Sequence, residues 1–126
     1  MIASVYTKLA PEPIGPYSQG IKAGQFLFVS GQTPLDPQTM EVVAGGIEEQ
    51  THQVLTNIIE ILAAGGATVD DVVKTTVFLK DMNQFPIVNA IYAERFGRAL
   101  PARSTIEVAR LPRDAQVEIE AIAVIG

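Results

Sequence analysis

The hydrophobic period of this chain switches between that of a helix and that of a strand, and the order of the switches restricts its fold more than any other feature. From Ile47 to Leu62 the residues Ile47, Thr51, Val54, Leu55, Ile58, Ile59 and Leu62 recur at three- and four-residue steps, which predicts a helix with one buried face. Glu48 and Glu49 fall in its first turn, where the positive end of the helix dipole favours them, and Gly65-Gly66 supplies the stop. Val72 to Lys80 then alternates with a period of two, the spacing of a strand. A second helix is expected after Asn83, which can cap it, with Pro86 in the first turn. Val88, Ile91, Tyr92 and Phe96 form its buried stripe, and Gly97 ends it. Ahead of these, proline and glycine clusters cut the chain into pieces too short for helices. Ile2–Thr7, Tyr17–Lys22 and Phe26–Ser30 are rich in β-formers, and Ala102–Val108 and Val117–Ile125 read as closing strands.

The expected order is therefore β-β-β-α-β-α-β-β. The fold class is α+β: a single domain over residues 1–126, with a six-stranded mixed sheet and two helices on one face. A length of 126 residues suits one domain with a core that needs no staples. Hydrophobic residues make up 48% and charged residues 18%, the opposite of the balance that keeps a chain unfolded. The formal charge of −5 and the lack of a basic stripe argue against nucleic acid as a partner. The absence of cysteine removes disulfides, thiolate nucleophiles and cysteine-ligated zinc, and with one histidine, His52, there is little to build a metal site or a catalytic triad on. No cofactor is expected. The most apolar stretch, Val54 to Val73, is interrupted by polar residues and glycines, and Lys8 is followed by prolines rather than by an apolar run. Neither a membrane segment nor a signal peptide is expected, and cytoplasmic residence is the default.

Two helices cover one face of such a sheet, so the other must be solvated or buried against another subunit. In the last strand Glu118, Glu120, Ile122 and Val124 share a face, and Val117, Ile119, Ala121 and Ala123 share the opposite one. In the strand before it Ile106 and Val108 share a face, and Arg103, Thr105 and Glu107 share the other. The natural assignment puts Arg103 and Thr105 on the open face beside Glu118 and Glu120. An open face that mixes apolar residues with a few charges resembles a subunit interface, and a homo-oligomer is expected. Arg103 and Glu118 converging there admit two readings. One is a structural ion pair. The other is an arginine that grips a ligand carboxylate with its planar fork while the glutamate orients or activates a water.

Several stretches together resemble one family. The runs PARSTIEVARLPRDAQVEIEAIAV, APEPIGPYSQGIKAG, FVSGQTPLDP, EQTHQV, VVKTTVFLKDM and FPIVNAIY are similar to the Rid family, also called YjgF-type proteins and often labelled endoribonuclease L-PSP. The resemblance covers nearly the whole chain. It implies a trimer of subunits like bacillar chorismate mutase, with clefts between neighbours, and a metal-free hydrolysis of reactive 2-imino acids to 2-keto acids and ammonia. Arg103 matches the family arginine that binds the substrate carboxylate, and Glu118 the glutamate that positions the attacking water. Tyr17, Ser30, Gly31, Gln32 and Asn89 match positions that line the cleft. At Thr105 many members carry cysteine, so thiol-dependent roles are not expected, whereas a role through the backbone N–H and C=O is retained. The resemblance also brings two rival readings: a regulatory trimer that binds a carboxylate metabolite without turning it over, and a ribonuclease or translation inhibitor. Elsewhere His52, Glu120, Phe85, Arg110 and Arg113 are expected to serve structure or solvation: His52 at or near the surface, Glu120 in a structural role with a carboxylate pair with Glu118 as the alternative, Phe85 in the core with contact to the cleft as the alternative, and the two arginines as ordinary exposed charges.

Overall fold

The computed structural model describes all 126 residues. Its elements are β1 (Ile2–Val5), β2 (Gly20–Ala23), β3 (Phe26–Gln32), α1 (Ile47–Ala64), β4 (Val72–Leu79), α2 (Phe85–Phe96), β5 (Ala102–Glu107) and β6 (Val117–Val124). They form one six-stranded sheet in the order β1-β2-β3-β6-β4-β5. Every neighbouring pair is antiparallel except β4 and β5. Because β6 runs antiparallel to both β3 and β4, those two are parallel to each other. The connections β3-α1-β4 and β4-α2-β5 are thus both crossovers, and both step across the sheet in the same direction. Crossovers of this kind are right-handed in nearly all proteins, which puts both helices on the same face.

Beneath the helices lies the core. Leu27, Val29, Val77, Leu79, Val117, Ile119, Ala121 and Ala123 come from the sheet, Val54, Leu55, Ile58, Ile61 and Leu62 from α1, and Val88 and Phe96 from α2. Gly65 ends α1 against the sheet: a Cβ there would lie 2.6 Å from the Leu27 side chain, so only glycine permits this approach. At the other end of α1 the Glu49 carboxylate accepts the Gly46 N–H at 2.8 Å, and that backbone bond holds its carboxyl below the usual range.

The opposite face carries no helix. Ile2, Phe26, Phe28 and Ile106 stand on it 74%, 47%, 43% and 44% exposed, and the two phenylalanine rings lie 6.0 Å apart.

Some boundaries differ from the expectation, and two of the differences bear on the site. Tyr17, Ser18 and Gln19 are not in a strand, since pairing begins only at Gly20. Gln19 is instead 1% exposed and holds the incoming loop. Its Oε1 accepts the Thr7 N–H at 2.7 Å, and its Nε2 lies 3.0, 3.2 and 2.9 Å from the carbonyls of Thr7, Ala10 and Pro11. The second difference concerns β5. Its register with β4 sets Arg103 beside Thr75 and Thr105 beside Val77, both inward-facing positions of β4. Arg103 and Thr105 therefore lie on the helix face, not on the open face with Glu118 and Glu120. The expectation failed because it sent apolar Ile106 to the core. As an edge strand β5 has its inward side covered only by α2, which receives Arg103, and Ile106 stays on the exposed side. A smaller correction is the start of the second helix. Asp81, rather than Asn83, caps a 3₁₀ turn over Met82–Gln84 by accepting the Asn83 N–H at 2.9 Å, and α2 follows from it.

Replacing Gln19 by leucine strands several buried carbonyls and an N–H at once. Gln19→Leu is expected to destabilise the fold by about 2–4 kcal/mol in urea unfolding, since each buried group left without a partner costs about 1–3 kcal/mol.

Candidate active site: two half-sites on opposite faces

One cleft opens on the uncovered side of the sheet at the end of β3. Its volume is about 490 Å³, and Pro11, Tyr17, Ser30, Gly31, Glu118 and Glu120 are among the residues around it. The local backbone explains the gathering. Between Val29, paired with Ala121, and Gln32, paired with Ile119, β3 has one residue more than β6. This is a β-bulge, which leaves Ser30 and Gly31 without partners on β6; the Ser30 N–H donates instead to the Gln19 carbonyl at 2.9 Å. Gln32 is buried behind it, and its Nε2 donates to the Ser30 carbonyl at 3.1 Å. The Ser30 hydroxyl donates to the Ser18 carbonyl at 2.5 Å, and the Tyr17 hydroxyl, on the half-exposed loop that Gln19 anchors, accepts the Ile14 N–H at 3.3 Å.

Against Gly31 lies the Glu118 carboxylate. A Cβ on Gly31 would overlap its Oε2 and stand 3.1 Å from its Cδ, so the absence of a side chain makes the carboxylate's place. Glu118 has no hydrogen-bond donor from the protein. Burial, and then the charge of Glu120 two residues along the same face, push its carboxyl above the usual range. A carboxyl raised in this way is a stronger proton acceptor, once ionised, than an ordinary carboxylate.

The second group of residues lies under α2. A groove of about 440 Å³ is lined by Asn89, Tyr92, Phe96, Leu100, Pro101 and Arg103. The Arg103 guanidinium sits 4.7 Å from the Tyr92 ring centre and 5.4 Å from that of Phe85. Cation–π contact of this kind holds the guanidinium against the rings, and none of its N–H groups has an acceptor within the chain. No carboxylate meets it; the one ion pair in the chain is Arg110 with Asp114, at 2.9 Å on the surface. Thr105, two residues on, keeps its Oγ1 buried without a partner. Its backbone groups are different. Val108 N–H donates to the Leu79 carbonyl at 2.9 Å, which fixes the alternation of β5: Ser104 and Ile106 turn their backbone groups to β4, and Arg103 and Thr105 turn theirs off the free edge of the sheet.

Tyr17, Ser30, Gly31, Gln32 and Glu118 thus gather at one cleft, and Asn89 and Arg103 line another, on the far side of β4; Thr105 lies two residues along β5 from Arg103, outside that lining. Arg103 pairs with Thr75 and Glu118 with Phe78, so two strand spacings and three residues separate their Cα atoms, roughly 14 Å, with side chains on opposite faces. Within one chain they cannot touch the same small molecule. Tyr92 lines the second groove, with the buried Thr75 hydroxyl against its own, and neither was legible there from sequence. The signal available was a tyrosine hydroxyl on a buried helical stripe, which needs a partner. Phe85, expected in the core, also flanks the arginine. His52 keeps a structural place, with Arg95 Nη1 donating to its Nδ1 at 3.1 Å. Arg113, expected to be free in solvent, donates to the Met40 carbonyl at 2.9 Å.

A sequence profile described as Endoribonuclease L-PSP matches residues 7–125. The chain belongs to that family, the Rid or YjgF-type proteins. Among Rid relatives, a RutC family protein of Pyrococcus horikoshii is 59% identical over 119 residues, 94% of each chain. The 2-iminobutanoate/2-iminopropanoate deaminase of Mus musculus is 50% identical over 122 residues, covering 97% of this chain and 90% of that one. The crystal structure of E. coli TdcF with bound serine superposes with a TM-score of 0.94 at 42% identity, over 98% of this chain and 99% of that one.

Two outcomes follow from the Glu118 site. In Gly31→Ala the new methyl displaces only the end of a flexible side chain, so the cost is expected to stay below about 1 kcal/mol. The displaced carboxyl moves towards solvent, and carboxyl NMR should find its pKa closer to the ordinary range. The second concerns stability. A carboxyl raised on folding contributes stability that is complete below its unfolded pKa and lost as pH rises through the folded one. Glu118→Gln is therefore expected to be more stable than the parent at pH 7, by at most about 1 kcal/mol given solvent screening at this half-exposed group, with the difference gone below about pH 4. Thermal melts across that range check the sign.

Proposed function

We propose that this protein hydrolyses 2-imino acids of the 2-iminobutanoate and 2-iminopropanoate type to 2-keto acids and ammonia, at sites completed between copies of the chain. The observation that carries the reading is Arg103: a guanidinium stacked on two aromatic rings, with no anion of its own to neutralise it. A planar carboxylate beside a reacting carbon is the ligand such a fork accepts in bidentate fashion. The Mus musculus relative's name and the serine bound in TdcF both fit a ligand of this size with a carboxylate.

The remainder of the chemistry belongs to Glu118. Imine hydrolysis needs a water delivered to the C=N carbon and a proton returned to nitrogen. The water's oxygen bonds to carbon, the displaced π pair takes a proton on nitrogen, and collapse of the resulting carbinolamine breaks the C–N bond, giving ammonia and the keto group. Glu118 takes the proton from water and hands it to the departing nitrogen, and its raised pKa suits both directions. Thr105 adds its outward backbone N–H and C=O at the sheet edge. No cofactor or metal takes part in these steps.

Arg103 and Glu118 face opposite ways in one chain, so a working site needs the arginine groove of one copy against the glutamate cleft of another. Repeated head to tail, such a contact closes a ring. A trimer is the closed form proposed, with the apolar open faces turned inward. The acidic lining of the first cleft, Glu12, Glu118 and Glu120, repels phosphate and gives no support to a ribonuclease reading despite the family label. A regulatory binding role remains the alternative, and binding without turnover would favour it.

The test couples threonine dehydratase to this protein with semicarbazide present as an imine trap. Faster 2-oxobutanoate release by the parent, lost in Arg103→Ala and in Glu118→Gln, is the expected result; no acceleration by folded parent protein sinks the reading for this substrate. Subunit mixing tests the composite site. Arg103→Ala and Glu118→Gln, inactive apart, should recover about a quarter of parental activity after unfolding and refolding together, the fraction of random contacts that unite two intact halves. No recovery in reassembled oligomers would overturn the composite site.

A further inference from the structure

Arg103 does not lie on just any aromatic surface. Tyr92 is buried, and its hydroxyl and that of Thr75 are 2.6 Å apart in the interior. Thr75 is fully buried on β4, in the position that pairs with Arg103 on β5. The other face of the tyrosine is packed as well, with the Phe96 ring stacked at 4.4 Å and 23°. The ring is thus fixed at its tip by a hydroxyl from the strand next to the arginine's own, and at its side by the following turn of α2. A guanidinium resting on it meets a ring held at two places.

We propose that the buried Thr75–Tyr92 pair sets the plane of the Arg103 guanidinium, so that Tyr92 is a positioning residue for carboxylate recognition. Bidentate recognition requires the guanidinium and the carboxylate to be coplanar, and a long arginine side chain free in solvent pays for that alignment in rotamer entropy at each binding event. Here no salt bridge or hydrogen bond within the chain fixes Arg103; the aromatic faces are what hold it. Phe85 offers a second face at 5.4 Å but has no polar anchor of its own. The hydroxyl pair belongs to Tyr92 alone, and it ties the recognition group to the core between β4 and α2.

This inference rests on the reading of Arg103 as the carboxylate clamp, and the experiment separates the two. The probe is 2-oxobutanoate, titrated calorimetrically into the intact assembly. Arg103→Ala should abolish measurable binding; unchanged binding there would overturn the clamp itself. With the clamp upheld, Tyr92→Leu should weaken binding about three- to tenfold, the range of a partly desolvated cation–π contact. Thr75→Val/Tyr92→Phe keeps the ring but removes both hydroxyls, leaving neither orphaned. It should weaken binding measurably without loss of folding, and it carries the test should Tyr92→Leu fold poorly.

The deciding readout is coupling. Arg103→Lys replaces a plane with a point charge, so it should cost more affinity in the parent than in the Thr75→Val/Tyr92→Phe background, where the plane is no longer fixed. Equal costs in the two backgrounds, or parental affinity in Thr75→Val/Tyr92→Phe, would overturn the proposal, because a merely structural pair changes melting temperature without changing that difference.

Discussion

Both crossover connections of this fold step across the sheet in the same direction, and the handedness of such connections sends α1 and α2 to a common face. Much else depends on that. One face gains a core and the other is left with exposed phenylalanine and isoleucine that no element of the chain covers. The strand order also puts β6, the last in sequence, in the middle, antiparallel to two parallel neighbours. Its outward glutamates therefore stand near the centre of the bare face, and β5, with its arginine, is pushed to the edge.

The electrostatic consequences follow from the same layout. Glu118 is half-buried with no donor and with Glu120 beside it, an arrangement that favours its neutral form. Arg103 is held by rings rather than by an acid. Had the chain folded for stability alone, each would carry a compensating partner, and the chain has acids enough to supply one. Local rules broken at two places and obeyed around them are what a functional site looks like. The bulge at Ser30-Gly31 belongs to the same group, since it breaks the register with β6 and sets a residue without a side chain against a carboxylate.

What the sequence made legible was whatever rests on period and punctuation. The α1 stripe, the Gly65-Gly66 stop, the alternation of β6 and the existence of an uncovered face are all local patterns, and each is found where the pattern put it, except that Ile61 rather than Ile59 is buried on α1. Register between strands is not local. The loop from Ala109 to Gln116 hides the relation of β5 to β6, and β4 in fact lies between them. Apolarity was also a poor guide at the edge strand: Ile106 faces outward and Arg103 inward, because an aromatic helix face welcomes a guanidinium as readily as a methyl group. Gln19 and the Thr75–Tyr92 pair escaped for a related reason. A buried polar residue is recognised by its partners, and those lie far away in sequence.

The corrected face of Arg103 has a chemical meaning. On a shared face, with no intervening strand, Arg103 and Glu118 would be free to meet as an ordinary ion pair: each would neutralise the other, the carboxyl would fall below its usual pKa rather than rise above it, and neither would be available to a ligand. With β4 between them and their side chains on opposite faces, self-neutralisation is impossible within a chain. On the proposed function the two approach only across a contact between copies, where a small carboxylate lying between them engages the arginine and leaves the glutamate free to handle a proton. A separation that looks at first like a defect of the site is, on this reading, what keeps both groups reactive until the ligand arrives.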